Sequence, residues 1–77
     1  MATFYFHCLS THEVLVDRRG SEFENLSDAR GRAFQIIQAF ITSQGPEDWR
    51  DWSVRVSNRG GEELLSVPFA SVLGRLH

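Results

Sequence analysis

Lysine is absent from this 77-residue chain, and all eight basic residues are arginines. Ten acidic residues outnumber them, so the formal net charge is −2. A protein that binds the phosphate backbone of nucleic acids normally carries a basic surplus. The charge balance therefore argues against nucleic acid as a partner.

Cysteine is almost absent as well, because Cys8 is the only one. An internal disulfide is excluded, and a lone cysteine favours a reducing compartment. The sequence also lacks the run of about 18–20 apolar residues that a membrane-spanning helix needs. The first residues, 1–6, contain neither the basic nor the apolar region of a signal peptide. We therefore expect a cytoplasmic protein with no membrane partner.

The length leaves room for one small domain, residues 1–77. Hydrophobic residues make up 42% of the chain and charged residues 23%, which is the composition of a folded globular protein. A disordered or low-complexity chain is thereby excluded.

Alternating apolar residues predict two strands near the start of the chain. The first strand is indicated by residues at every second position: Phe4, Phe6 and Cys8. After the polar residues 10–13, which can form a turn, Val14 and Val16 indicate a second strand. The two should pair as an antiparallel hairpin. Residues 18–21 should end it, with Gly20 in a left-handed conformation.

One amphipathic helix is predicted for residues 26–43. Its apolar residues recur at spacings of three and four, which places them on one side of a helix: Leu26, Ala29, Ala33, Ile36, Ile37, Phe40 and Ile41. Asn25 is the expected N-cap, with Ser27 as the alternative. Gly45 and Pro46 should end the helix.

Two more strands are predicted after the helix. The third strand alternates at Trp52, Val54 and Val56, and the fourth at Leu65, Val67 and Phe69. Residues 58–60 suit a tight turn between them, with Gly60 left-handed. Pro68 cannot donate a backbone hydrogen bond, which places the fourth strand at an edge of the sheet. The tail, residues 70–77, can add a short helical turn.

The element order β-β-α-β-β predicts an α+β fold. It consists of a four-stranded antiparallel sheet, with strand order 2-1-3-4, and one helix on one face.

Four local patterns together resemble a known family of short bacterial, mainly alphaproteobacterial, proteins that is catalogued only as a domain of unknown function. The patterns are an aromatic strand at residues 4–6, D-x-x-G-x-E at residues 17–22, A-R-x-x-A at residues 29–33 and a V-x-V hairpin at residues 54–60. The resemblance covers residues 3–69. The chain departs from the family at the first turn, residues 10–12, where Asp-Gly is usual. The resemblance implies no activity, cofactor or catalytic residue.

A metal or catalytic site would have to use His7, Cys8 and His12, the only cluster of imidazole and thiol groups. Alternation places His7 and Cys8 on opposite faces of the strand, so they cannot share a metal ion. Cys8 faces inward with Phe4 and Phe6, which argues against a thiol nucleophile activated by His12. We therefore expect no metal, no cofactor and no enzymatic activity.

Two alternative functions remain open from the sequence. One is a small thiol-based enzyme or redox sensor that uses Cys8. The other is an accessory protein that binds nucleic acid through a cluster of arginines: Arg18, Arg19, Arg30 and Arg32. Trp49 and Trp52 could likewise form an interface, although core packing is the favoured interpretation.

The helix can cover only one face of the sheet, so the other face is the candidate interaction surface. Alternation assigns six residues to it: Tyr5, His7, Leu9, Leu15, Arg55 and Leu64. An apolar patch on a sheet face is uncommon in a monomer. The sequence therefore predicts a small interaction module that forms a homodimer, and an unknown protein partner is the alternative occupant of this face.

Overall fold

The computed structural model of the chain describes residues 1–44, 49 and 51–73. The elements in chain order are β1 (Ala2–Leu9), β2 (Val14–Leu15), β3 (Ser21–Phe23), α1 (Leu26–Gln44), β4 (Ser53–Ser57), β5 (Glu63–Pro68) and α2 (Phe69–Leu73). All strand pairs are antiparallel, and four of the strands follow the order β2-β1-β4-β5. The predicted α+β fold is confirmed, and the four predicted strands follow the predicted order, but the sheet is five-stranded and differs in this detail.

A fifth strand, β3, was not predicted. It pairs with the start of β1, where the sequence suggested only the end of the first hairpin. Cys8 pairs with Leu15, whereas Phe4 pairs with Ser21. Three residues of β1 (5–7) therefore lie opposite five residues (16–20) of the neighbouring segment. β2 and β3 are two parts of one edge, interrupted by a bulged loop of residues 16–20.

Helix α1 covers one face of the sheet through its small and aliphatic residues. Ala29, Ala33 and Ile37 are fully buried, while Leu26, the first residue of the predicted stripe, is 39% exposed. Asn25 caps the helix as predicted, because its Oδ1 accepts the Asp28 N–H at 2.9 Å. The predicted end at Gly45–Pro46 lies outside the described residues. No helix in the described part of the chain is long and apolar enough to cross a membrane.

The second hairpin differs from the prediction at its turn. The left-handed glycine is Gly61, with a φ of 85°, and not Gly60. The Asn58 side chain holds the turn, since its Oδ1 accepts the N–H groups of Gly60 and Glu62. One extra residue in β5 shifts the register next to Val56 and Ser57. Pro68 ends β5, an outer strand of the sheet, as the missing N–H predicts.

Four aromatic rings close the core where α1 ends and β5 passes into α2. Phe69 is fully buried, and its ring centroid lies 5.6 Å from Trp49, 6.0 Å from Trp52 and 6.1 Å from Phe40. Trp49 and Trp52 are also buried, so they belong to the core and not to an exposed interface. Phe69 begins α2 instead of ending the fourth strand, and its N–H donates to the Trp52 carbonyl at 2.9 Å.

Candidate functional site

Four of the six residues predicted for the candidate interface share the uncovered face of the sheet. Tyr5, His7 and Leu9 alternate along β1 with the buried Phe4, Phe6 and Cys8 and are only partly exposed. Arg55 of β4 is paired with His7. Directly paired residues of antiparallel strands point to the same face, so Arg55 joins the β1 residues there.

The other two predicted residues lie elsewhere. Leu15 pairs with Cys8, which faces the core, so Leu15 lies on the helix side of the sheet, and the prediction for its face is wrong. Val14, paired with Leu9, takes its place on the uncovered face. Leu64 is the extra residue at the register shift of β5 and is 37% exposed.

Polar residues fill most of the uncovered face. In β4, Ser57 pairs with Tyr5 and Ser53 pairs with Leu9, while Ser66 of β5 pairs with Arg55. Arg55 forms an ion pair with Glu63, and both side chains are about half exposed. This face therefore presents less apolar surface than alternation alone predicts.

The bulged loop of residues 16–20 is organised by one carboxylate. Asp17 Oδ1 accepts the N–H groups of Arg19 at 3.0 Å and Gly20 at 3.1 Å, and Oδ2 accepts the Phe6 N–H of β1 at 3.1 Å. The Asp17 side chain thus replaces the backbone partner that β1 loses at the bulge. The loop is the D-x-x-G part of the motif at residues 17–22, which makes its aspartate and glycine structural.

These contacts set the acidity of Asp17. Burial alone would raise its pKa, but the N–H groups of Gly20, Phe6 and Arg19, together with the charge of His7, lower the pKa below its ordinary value of 3.8. A carboxyl group whose pKa is lower in the folded state stabilises the fold above the unfolded pKa. That stabilisation is lost as the pH falls through the folded value.

We expect Asp17→Asn to lower the free energy of unfolding by about 1–2 kcal/mol at pH 7, because an amide cannot accept all three N–H groups. The difference from wild type should begin to shrink below about pH 4, where the carboxyl of the unfolded chain takes up a proton, and shrink further as the pH falls through the lower folded pKa. Urea melts at pH 7 and pH 3 measure both effects. Glu24→Gln is the matched control, since this substitution also removes one negative charge but does so at an exposed position. An Asp17→Asn variant as stable as this control at pH 7 would contradict the role of Asp17.

His7 connects the loop to β4 through both ring nitrogens. Nδ1 accepts the Asp17 N–H at 3.0 Å, and Nε2 lies 3.1 Å from Ser57 Oγ. A nitrogen that accepts a hydrogen bond carries no proton, so in the neutral ring the proton is on Nε2, which donates to Ser57. A catalytic serine needs the opposite tautomer, with Nε2 accepting the hydroxyl proton. Ser57 is also only 4% exposed, so a substrate cannot reach its hydroxyl.

Cys8 is buried, with 5% of its surface exposed, as its alternation with Phe4 and Phe6 predicts. Burial, with a smaller effect of the Asp17 charge, raises the pKa of its thiol to about 11. The thiolate is the reactive form of cysteine. Near neutral pH this thiol is therefore protonated and shielded, which is the opposite of an activated nucleophile.

Native protein at pH 8 should accordingly react with Ellman's reagent only as it unfolds. The same sample in denaturing urea should react stoichiometrically at once, which serves as the control. Complete labelling within minutes under native conditions would show that Cys8 is accessible and would revive the thiol-enzyme interpretation.

The remaining candidate groups do not converge on a ligand site. Within residues 1–44, 49 and 51–73, no three histidine, cysteine or carboxylate side chains could hold a metal ion together. Of the predicted arginine cluster, Arg30 lies over the Phe34 ring at 5.1 Å and Arg32 donates to Gln35. Arg18 and Arg19 are exposed in the bulged loop.

An open groove of about 440 Å³ lies at the end of the sheet, where β1 starts and the second hairpin turns. Its charged lining residues are Glu22 and Arg59, which have opposite sign. No buried polar side-chain atom of the described residues lacks a hydrogen-bond partner. The groove therefore shows no group that is held ready for a ligand.

Large exposed aliphatic residues are concentrated instead in the first hairpin. Val14 is 60%, Leu15 46% and Val16 57% exposed. They are consecutive and lie at the outer edge of the sheet beside β1. Of these three residues, sequence alternation assigned only Leu15 to the uncovered face of the sheet.

Comparison with known proteins finds a protein family that the chain matches. The sequence model of a protein family described as "Domain of unknown function (DUF6894)" matches residues 3–70. No curated protein and no solved structure matches the chain.

Proposed function

The chain belongs to the family described as domain of unknown function DUF6894, and we propose that it is a small interaction module without catalytic activity that acts as a homodimer. The match gives no sign of catalysis. The proposal includes the bacterial, cytoplasmic setting that the resemblance and the lone cysteine suggested.

The hydrogen bonds of His7 support a structural role for the polar residues that most resemble a catalytic set. Ser57, His7 and Asp17 are linked in a row, but each link holds two strands or a loop together. The proton on Nε2 points toward Ser57, and the Asp17 carboxylate is occupied by backbone N–H groups. These residues fix the bulged loop against β1 and leave no free base.

The exposed aliphatic residues of the first hairpin support self-association. Burial of apolar surface is the main driving force of protein association. Among the described residues, the largest group of consecutive exposed aliphatic side chains is Val14, Leu15 and Val16. A chain of this size has a thin core and no disulfide, so burying these residues against a second copy would add stability. Two-fold pairing is the simplest arrangement, because one surface then serves both partners.

Multi-angle light scattering across micromolar to millimolar concentrations tests this function. A homodimer should give a mass that rises toward twice the 8.8 kDa of one chain. A mass of one chain over the whole range would exclude the homodimer and leave binding of a different protein as the remaining interaction.

A further inference from the structure

The exposed aliphatic residues of the first hairpin form a continuous edge, which we call the β2 edge (residues 14–16). Val14 and Leu15 constitute β2, the outermost strand on this side of the sheet, and Val16 leads into the bulged loop. No charged residue or proline interrupts the edge. Exposed aliphatic residues on an edge strand are a common site for pairing with another chain.

The β2 edge also offers backbone hydrogen-bonding groups. Across the first hairpin, the Ser10 N–H donates to the Glu13 carbonyl at 2.8 Å. Hydrogen-bonded and non-hydrogen-bonded pairs alternate along antiparallel strands, so the next pair, Leu9 with Val14, is not hydrogen-bonded. The N–H and C=O of Val14 therefore point away from β1, toward the free side of the edge.

The opposite edge of the sheet, β5, is protected against such pairing. It starts with Glu63, whose charge is held by Arg55, contains a register shift and ends with Pro68. Charges, irregular register and proline are the features by which natural sheets prevent edge-to-edge association. β2 itself contains no charge, proline or register shift, and the bulge begins only after Leu15, which distinguishes β2 as the edge open to a partner.

Charges at the two ends of the β2 edge match a second copy in antiparallel alignment. Asp17 directly follows the edge, and its carboxylate accepts backbone N–H groups of the bulged loop and β1. Glu13 precedes the edge, Arg18 and Arg19 follow Asp17, and these three are exposed. Among the described residues none of them has an ion-pair partner. An antiparallel alignment brings Glu13 of one copy toward Arg18 and Arg19 of the other, at both ends, whereas a parallel alignment would bring like charges together.

We propose that two copies of this chain pair antiparallel through the β2 edge, across a two-fold axis, and so join their sheets. This inference rests on the proposed homodimer and specifies its interface. The three residues of the edge offer less contact surface than the roughly 800 Å² that each partner buries in a standard interface. The dimer is therefore weak and forms only as the protein concentration rises.

The test compares two lysine substitutions on opposite edges by sedimentation velocity over the same concentration series. Val14→Lys places a charge in the proposed interface and should weaken dimerisation by at least about tenfold. Leu64→Lys is the matched control, since Leu64 is a partly exposed leucine on β5. It should leave the dimerisation constant within about twofold of wild type. Circular dichroism melts of both variants verify that they are folded.

A second readout does not depend on a variant. Amide exchange at Val14 of the wild-type protein should slow as concentration rises, because the outward N–H gains a partner in the dimer. Two results would overturn the β2-edge interface while leaving the homodimer intact. One is a dimer that persists in Val14→Lys, and the other is a Val14 amide exchange rate that does not change as the protein dimerises. A wild-type protein that stays monomeric throughout would overturn both.

Discussion

Replacing Phe69 by alanine should lower the free energy of unfolding by about 3–5 kcal/mol, the range for a large aromatic residue removed from a core. Phe69 is fully buried and contacts the rings of Phe40, in α1, and of Trp49 and Trp52, which precede β4. Its loss would leave a cavity that these rigid rings cannot fill. Because the free energy of unfolding of small domains is only about 5–15 kcal/mol, this variant should be only marginally stable.

Phe40→Ala is the comparison for this effect. Phe40 contacts both tryptophan rings and the Phe69 ring, but it is only partly buried on the surface of α1. Its replacement should therefore cost clearly less than that of Phe69 in urea melts. A loss below about 1 kcal/mol for Phe69→Ala, or a larger loss for Phe40→Ala, would mean that the aromatic cluster is not packed as described.

Gly20→Ala should destabilise the fold by about 2–5 kcal/mol. Gly20 has a φ of 72°, a left-handed conformation that costs a residue with a side chain about 1–2 kcal/mol. A Cβ there would also lie 2.8 Å from Thr3 Cγ2, 3.0 Å from Tyr5 Cε2 and 3.2 Å from the Phe4 carbonyl oxygen. Such overpacking adds about 1–3 kcal/mol, and relieving it would push the bulged loop away from β1.

Gly61→Ala separates the two costs. Gly61 is left-handed too, with a φ of 85°, but a Cβ at this position would have no atom within 4 Å. Its replacement should cost only the backbone term, about 1–2 kcal/mol. Equal losses for the two variants in urea melts would show that the contacts of Gly20 with β1 contribute nothing.

The elements with regular apolar periodicity could be predicted from the sequence. The period of two in β1 correctly placed Phe4, Phe6 and Cys8 in the core, and the helical spacing found α1 with its Asn25 cap. The missing N–H of Pro68 correctly placed the last strand at an edge. In these cases one local pattern determines both the element and its buried side.

The first hairpin shows where local patterns stop being sufficient. Alternation alone does not decide which face of the sheet Leu15 lies on, because a shift of one residue in the strand pairing moves its side chain to the other face. The pairing of Cys8 with Leu15 decides the question, and this pairing depends on the Ser10–Glu13 turn. The strand β3 is only three residues long and has no periodic pattern of its own, so its pairing became visible only in the structure.

The polar links of the candidate site could be found only in part. The partners of His7 are Asp17, ten residues away, and Ser57, fifty residues away, and only the fold brings them together. The spacing of Asp17 and Gly20 was visible as a D-x-x-G pattern. Aspartate side chains that accept nearby backbone N–H groups, followed by a left-handed glycine, are typical of tight loops, and this signal points to structure and not to catalysis.

The most direct test of the central claim, that two copies pair through the β2 edge, is an isotope-filtered NOE experiment. Equal amounts of ¹³C,¹⁵N-labelled and unlabelled protein are mixed at a concentration where the protein is dimeric. The proposed interface predicts intermolecular NOEs from the methyl groups of Val14, Leu15 and Val16 to the same residues of the other copy. Intermolecular NOEs confined to Tyr5, Leu9 and the rest of the uncovered sheet face, or to β5, would contradict it.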